Sequence, residues 1–194
     1  KNPLDGSLFS VENQQIIGEP FSSQIVGGDI SFSIGDQKFT RPIQLFYKYN
    51  YQVDGEIKQP FVIVPEVDLE LSSNQIFLIG GADPTLTVTV NFRDKFLEGD
   101  LSFEGIDSTQ YRILSVEDVP TQRKRIFRVA FLPNGQGKKN ITATFTSSAG
   151  KAYNLITKRI SYKHIPNLTY FTLATIGLIQ ADWTLSGAKI GYIP

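Results

Sequence analysis

The sequence predicts an all-β protein of antiparallel sandwich modules with little helix, and three observations carry that expectation. First, short runs alternate strictly between apolar and polar residues: Ile30-Ser31-Phe32-Ser33-Ile34, Leu86-Thr87-Val88-Thr89-Val90-Asn91-Phe92 and Ile141-Thr142-Ala143-Thr144-Phe145. Successive side chains of a strand point to opposite faces, so period-two alternation means that one face packs and the other meets water. That is the pattern of an antiparallel sheet covered on one side. Second, turn formers punctuate the runs at short intervals: Gly27-Gly28, Gly35-Asp36, Asp54-Gly55, Gly80-Gly81, Pro133-Asn134-Gly135 and Ala149-Gly150. These residues tolerate positive φ or fix a turn. Third, no segment shows a 3.6-residue period with caps at both ends, while Phe, Tyr and β-branched residues, which suit pleated half-covered surfaces, fill the apolar runs.

In chain order, residues 1–65 offer few strands and form a small or incomplete β-sandwich domain. Pro60 and Pro65 bracket the short apolar run Phe61-Val62-Ile63-Val64. Proline lacks the donor that a central strand needs, so both belong at strand ends or edges, and a boundary falls near Pro65-Glu66. The second domain, 66–163, has strands expected at 67–71, 75–79, 86–92, 99–103, 111–116, 125–132, 140–146 and 152–162. That number suits an immunoglobulin-like sandwich. Residues 164–194 are read as a tail in which Ile190-Gly191-Tyr192-Ile193 forms a last strand. Cut off from a sheet of its own, that strand is expected to add to a sandwich edge in this chain or in a second copy.

Composition narrows the function classes. Of the 194 residues, 41% are hydrophobic and 20% charged, which fits a globular chain rather than a disordered tail. The 19 basic and 19 acidic residues cancel, and a nucleic-acid binder usually carries a basic excess. The one dense basic cluster, Arg123-Lys124-Arg125, reads as a solvated turn entering a strand. With no cysteine, disulfides, thiolate metal sites and a cysteine nucleophile are all excluded. The longest apolar stretch, 170–179, is too short to span a bilayer. Neither an initiator Met nor a signal peptide precedes Lys1-Asn2-Pro3, so the chain reads as a piece of something longer.

A reaction centre needs a full constellation of mutually placed groups. A zinc site wants several converging ligands, and this chain has a single histidine, His164. A Ser-His-Asp triad would need a nucleophile elbow of the G-x-S-x-G type, which is missing. Glu66, Asp68 and Glu70 alternate on one strand face opposite Val67, Leu69 and Leu71. That spacing describes a solvated face better than a carboxylate pair for glycoside cleavage or a calcium loop. Gly80-Gly81-Ala82-Asp83-Pro84 lacks the Lys and Ser/Thr of a phosphate loop. The expected inventory is therefore no catalytic residue, no metal site and no cofactor. One surface remains: Ile43, Leu45, Tyr47, Tyr49 and Tyr51 share a strand face. Aromatic rings there can stack on a sugar or partner, or pack beneath a facing sheet, and Tyr47, Tyr49 and Tyr51 are the candidate glycan or partner contacts. Asn140-Ile141-Thr142 and Asn167-Leu168-Thr169 match the glycosylation sequon, a chance match if the protein is bacterial.

Two stretches carry a resemblance. Phe39-Thr40-Arg41-Pro42-Ile43, then Tyr47-Lys48-Tyr49 and Asp54-Gly55-Glu56-Ile57-Lys58-Gln59-Pro60, are similar to a segment of long bacterial members of the PIG-L (LmbE-like) deacetylase family. The run Tyr162-Lys163-His164-Ile165-Pro166 through Thr169-Tyr170-Phe171, and the end Lys189-Ile190-Gly191-Tyr192-Ile193-Pro194, resemble a later segment of the same proteins. Between them, residues 67–103 resemble the family's sandwich pattern. The resemblance implies an exported, periplasmic or extracellular multidomain enzyme, a zinc-dependent deacetylase of N-acetylglucosaminyl groups. Its His-Pro-Asp-Asp metal motif is absent here, so no catalytic residue carries over. This chain would be its accessory middle region, with other domains of the same polypeptide as partners and Ile190-Gly191-Tyr192-Ile193 opening an amidotransferase-like domain. The alternative expectation is a stand-alone cell-surface adhesion or structural module.

Overall fold

The computed structural model describes residues 26–53, 55–79, 84–132, 137–162 and 165–181. These are almost entirely strands, and the chain divides into two compact units between Ile63 and Val64. His164 and Ile190-Gly191-Tyr192-Ile193 lie outside the described residues.

The described part of the first unit is a pair of hairpins. Strand β1 (Gly27–Ile34) pairs with β2 (Gln37–Gln44) through a two-residue turn, where Gly35 takes φ +60°. Strand β3 (Phe46–Tyr51) pairs with β4 (Gly55–Pro60), and Gly55 sits at φ +74°. A side chain other than glycine is disfavoured at such angles, which is why turn signals and hairpin ends coincide. No described residue of this unit is buried. The single aromatic stripe expected from Ile43 to Tyr51 is broken. Leu45 interrupts the strand, and Ile43 pairs within the first hairpin while the tyrosines pair within the second.

The second unit is an immunoglobulin-like sandwich. One sheet runs β5 (Val67–Leu71), β7 (Thr85–Phe92), β10 (Lys124–Phe131), β9 (Tyr111–Val119). In the other, β11 (Gly137–Ser147) has β8 (Gly99–Glu104) on one side, with β12 (Ala152–Tyr153) and β15 (Thr175–Ala181) on the other. Strand β6 (Gln75–Ile79) closes that sheet beside β15. In chain order these reproduce an A-B-E-D sheet facing a C-F-G sheet. The first strand is split, its second half β6 crossing to the opposite sheet. There it pairs in parallel with β15, an exception to the antiparallel expectation. The last strand is split as well. Its two halves, β12 and β15, flank an inserted hairpin of β13 (Leu155–Tyr162) and β14 (Ile165–Leu173). Residues 175–181, expected in a separate tail, thus lie inside the second sheet.

Alternation positions the core. Along β7, Leu86, Val88, Val90 and Phe92 are buried while the intervening residues are not. They meet Phe127, Val129 and Phe131 of β10 and Ile141, Ala143 and Phe145 of β11, with Ile176 and Leu178 from β15. Rings pack edge to face: Phe92 on Phe145 at 5.7 Å and Phe103 on Phe131 at 5.2 Å between centroids. Each fully buried Phe or Leu contributes about 1.5–3 kcal/mol, so this cluster outweighs any polar contact described below. At Gly99 a Cβ would fall 2.7 Å from the Phe145 ring, 2.8 Å from the Ser147 Cα and against the Thr146 carbonyl oxygen. Only glycine lets β8 start that close to β11.

Candidate functional site

The candidate surface is the second hairpin. Cross-strand partners share a face, and the register sets Tyr47 opposite Gln59, Tyr49 opposite Ile57 and Tyr51 opposite Gly55. Tyr47 and Tyr49 lie with centroids 5.6 Å apart and planes tilted 35°. The Gln59 amide Nε2 donates to the Tyr49 hydroxyl at 3.4 Å, and Tyr49 is half-buried. Tyr47 and Tyr51 stay 56% and 54% exposed, so two of the three side chains are more than half in solvent. Opposite Tyr51 the glycine side chain is missing, which leaves that ring uncovered across the strand.

The hairpin's other face carries charge. Glu56 accepts from Lys48 Nζ at 3.1 Å and lies 3.6 Å from Lys58 Nζ. The hydrogen bond and charge of Lys48 hold the Glu56 carboxyl below its ordinary range. All three side chains are about half exposed, so the trio fixes side-chain direction more than it adds stability. The tyrosine face itself is neutral. Its chemistry is that of a stacking platform: apolar ring faces, phenol hydroxyls at the rim and an amide beside them.

The carboxylates at 66, 68 and 70 do not gather. Glu66 Oε2 accepts from Lys151 Nζ at 3.0 Å and from the Tyr153 hydroxyl at 2.9 Å, contacts that hold its carboxyl below the ordinary range. Asp68 Oδ1 accepts the backbone N–H of Thr157 at 2.6 Å, tying β5 to the inserted hairpin. Glu70 is exposed. Two of the three are therefore structural acceptors rather than a purely solvated face. Among the described residues no three His, Cys, Asp or Glu side chains come together as a metal site, and no helix is long and apolar enough to cross a membrane.

Arg125 departs from the sequence reading. It was expected in a solvated basic turn, yet it is 6% exposed. Its Nε and Nη2 bind the two Asp118 oxygens at 2.5 and 2.8 Å. Nη2 also reaches Glu98 Oε2 at 2.6 Å, and Nη1 donates to the Gly99 carbonyl at 2.9 Å. Its guanidinium stands over the Phe96 ring at 5.1 Å. The hydrogen bond to Asp118 leads the causes that raise the arginine's pKa above its ordinary value, and the same bond leads those that depress the Asp118 carboxyl. The signal was in the alternation: Arg125 shares the inward parity of Phe127, Val129 and Phe131. Its main partner, Asp118, is seven positions upstream, where only strand pairing places it.

No family model matches the chain, and no curated protein matches it. Among solved structures it is similar to the crystal structure of the S-layer protein SbsC domains 4 and 5, with 13% identity and a TM-score of 0.30. That match covers 80% of this chain and 66% of the other, so the chain spans just under two thirds of the structure's length.

Proposed function

We propose that the chain is a non-catalytic binding and spacing module, outside the cytoplasm, whose β3–β4 hairpin docks a glycan or partner on Tyr47, Tyr49 and Tyr51. The observation that carries this reading is the outward display of Tyr47 and Tyr51, each more than half exposed on a neutral face. Large rings left in water on a short hairpin are costly unless a ligand covers them, and sugars stack on such faces. The sandwich of the second unit supplies the rigid body expected of a cell-surface structural module. The placement outside the cytoplasm rests on the family resemblance.

Affinity electrophoresis through immobilised polysaccharides, backed by a glycan array, tests it. Retardation should fall about tenfold for Tyr47→Ala and for Tyr49→Ala, with circular dichroism unchanged. No retention on any glycan would remove the glycan arm and leave a protein partner. De-N-acetylase or esterase turnover by the purified chain, abolished by His164→Ala, would overturn the non-catalytic assignment.

A second reading makes the chain the accessory region of a longer PIG-L deacetylase, with zinc held only in that parent's catalytic domain. The residues of the hairpin region, Arg41-Pro42-Ile43 through Lys58-Gln59-Pro60, favour it. The gene's upstream sequence decides: a His-Pro-Asp-Asp motif should precede Lys1.

A further inference from the structure

Arg93 follows Phe92 in the chain and the Phe92 N–H donates to the Arg123 carbonyl, and both guanidinium groups are held by uncharged acceptors. Arg93 Nε donates to the Pro65 carbonyl at 3.0 Å and its Nη2 to Thr157 Oγ1 at 3.3 Å. Arg123 Nη1 donates to the carbonyls of Arg93 at 2.6 Å and Asp94 at 3.2 Å. The Arg123 backbone is held in turn: its N–H donates to Pro120 O at 3.0 Å, at φ 53°, and its carbonyl accepts from Phe92 at 2.9 Å. Among the described residues no carboxylate forms an ion pair with either arginine. A guanidinium has five N–H donors. Among the described residues, Arg93 Nη1 and Arg123 Nε and Nη2 have no hydrogen-bond acceptor, on groups already held in place.

Both arginines line a surface pocket of about 300 Å³ together with Asp68, Asn91, Phe92 and Gln122. Two amides add further donors. We propose that this pocket binds an oxyanion group, a carboxylate, sulfate or phosphate, gripped by Arg93 and Arg123 with help from Asn91 and Gln122. Guanidinium groups match planar or tetrahedral oxyanions with paired hydrogen bonds, and pre-fixed arginines lose little freedom on binding. The pocket volume sits at the small end of ligand sites, the size for one charged group and part of what bears it. Asp68 is the opposing element. Its carboxylate lines the same pocket, spends one oxygen on the Thr157 N–H and repels an incoming anion. The site is independent of the tyrosine hairpin, and loss of glycan docking there would leave it standing.

Arginine side-chain NMR during titration tests the assignment, with inorganic sulfate in one arm and a uronic-acid disaccharide in the other, sodium chloride holding ionic strength constant. Saturable shifts should appear at the Arg93 and Arg123 Nε–H resonances. Arg93→Gln and Arg123→Gln should each weaken binding about tenfold. Asp68→Asn should tighten it several-fold, because the asparagine oxygen still accepts from Thr157 while the repelling charge is gone. This variant decides the matter even if Arg123→Gln, at a left-handed position, fails to fold. A uronate that saturates at lower concentration than sulfate assigns the group to an acidic saccharide, and equal affinities assign it to a free anion. Shifts that follow chloride equally, or affinity that is indifferent to Asp68→Asn, would overturn the proposal.

Discussion

At the scale of single residues, Arg125 and Gly99 hold one end of the sandwich. The arginine reaches Asp118 on its own sheet and Glu98 and Gly99 at the start of the facing one, so it fastens the two layers to each other. Removing one partner of a buried charge cluster is costly because the others lose their compensation. Glu98 and Asp118 are partly solvated, which moderates that cost. Arg125→Ala should destabilise the sandwich by about 2 kcal/mol in urea denaturation, the range of charge-assisted hydrogen bonds. Gly99→Ala should also cost about 2 kcal/mol or more, since its Cβ meets backbone that cannot step aside. An unchanged midpoint in either variant would contradict the packing described.

At the scale of elements, β9 shows where period-two reading slips. Val116 stands opposite Phe127 and Ile113 opposite Val129, so both share the face of the inward row although three positions separate them and both stay exposed on this outermost strand. The register shift leaves Leu114 as an extra residue, a bulge that resets the alternation. The reset then places Asp118 opposite Arg125. The split last strand is the second case. Nothing in the sequence between Ala152 and Ala181 announces that a hairpin interrupts one strand, because β12 and β15 are told apart from β13 and β14 only by their pairing with β11. Its return, β15, lies between β11 and β6 and carries the buried Ile176 and Leu178. A chain ending at residue 162 should therefore lose cooperative thermal unfolding. One that retained it would show β15 to be dispensable.

At the scale of the whole molecule, every buried apolar residue among those described falls between Val67 and Leu178. Among the described residues, the buried core and most of the depressed carboxyls therefore belong to the second unit. The Glu66, Asp107 and Asp118 carboxyls all lie below their ordinary values of 4.5 and 3.8, held there respectively by Lys151, by Thr109 and by Arg125. A carboxyl depressed in the folded state adds stability above its unfolded pKa, and that stability is lost as pH falls through the folded value. Stability should thus hold near neutrality and decline once pH drops below about 4.5. Glu66→Gln should shrink the difference between neutral and acid denaturation midpoints. A larger difference in that variant would contradict the Lys151 and Tyr153 contacts.

The residue string by itself determined the all-β class, the strands from Val67 to Leu71 and from Gln75 to Ile79, and the parity that turns Leu86, Val88 and Val90 inward. Each of these depends on a side chain and its immediate neighbours, and backbone geometry transmits nothing more than which face comes next. The tyrosine stripe was legible in the same way, but its break at Leu45 was not, because hairpin partners rather than local alternation ended each strand. Tertiary structure alone decided that β6 crosses to pair in parallel with β15, that Arg125 meets Asp118, and that Arg93 and Arg123 flank one pocket. These meetings are set by which strands pair and in what register, which no run of neighbouring residues specifies.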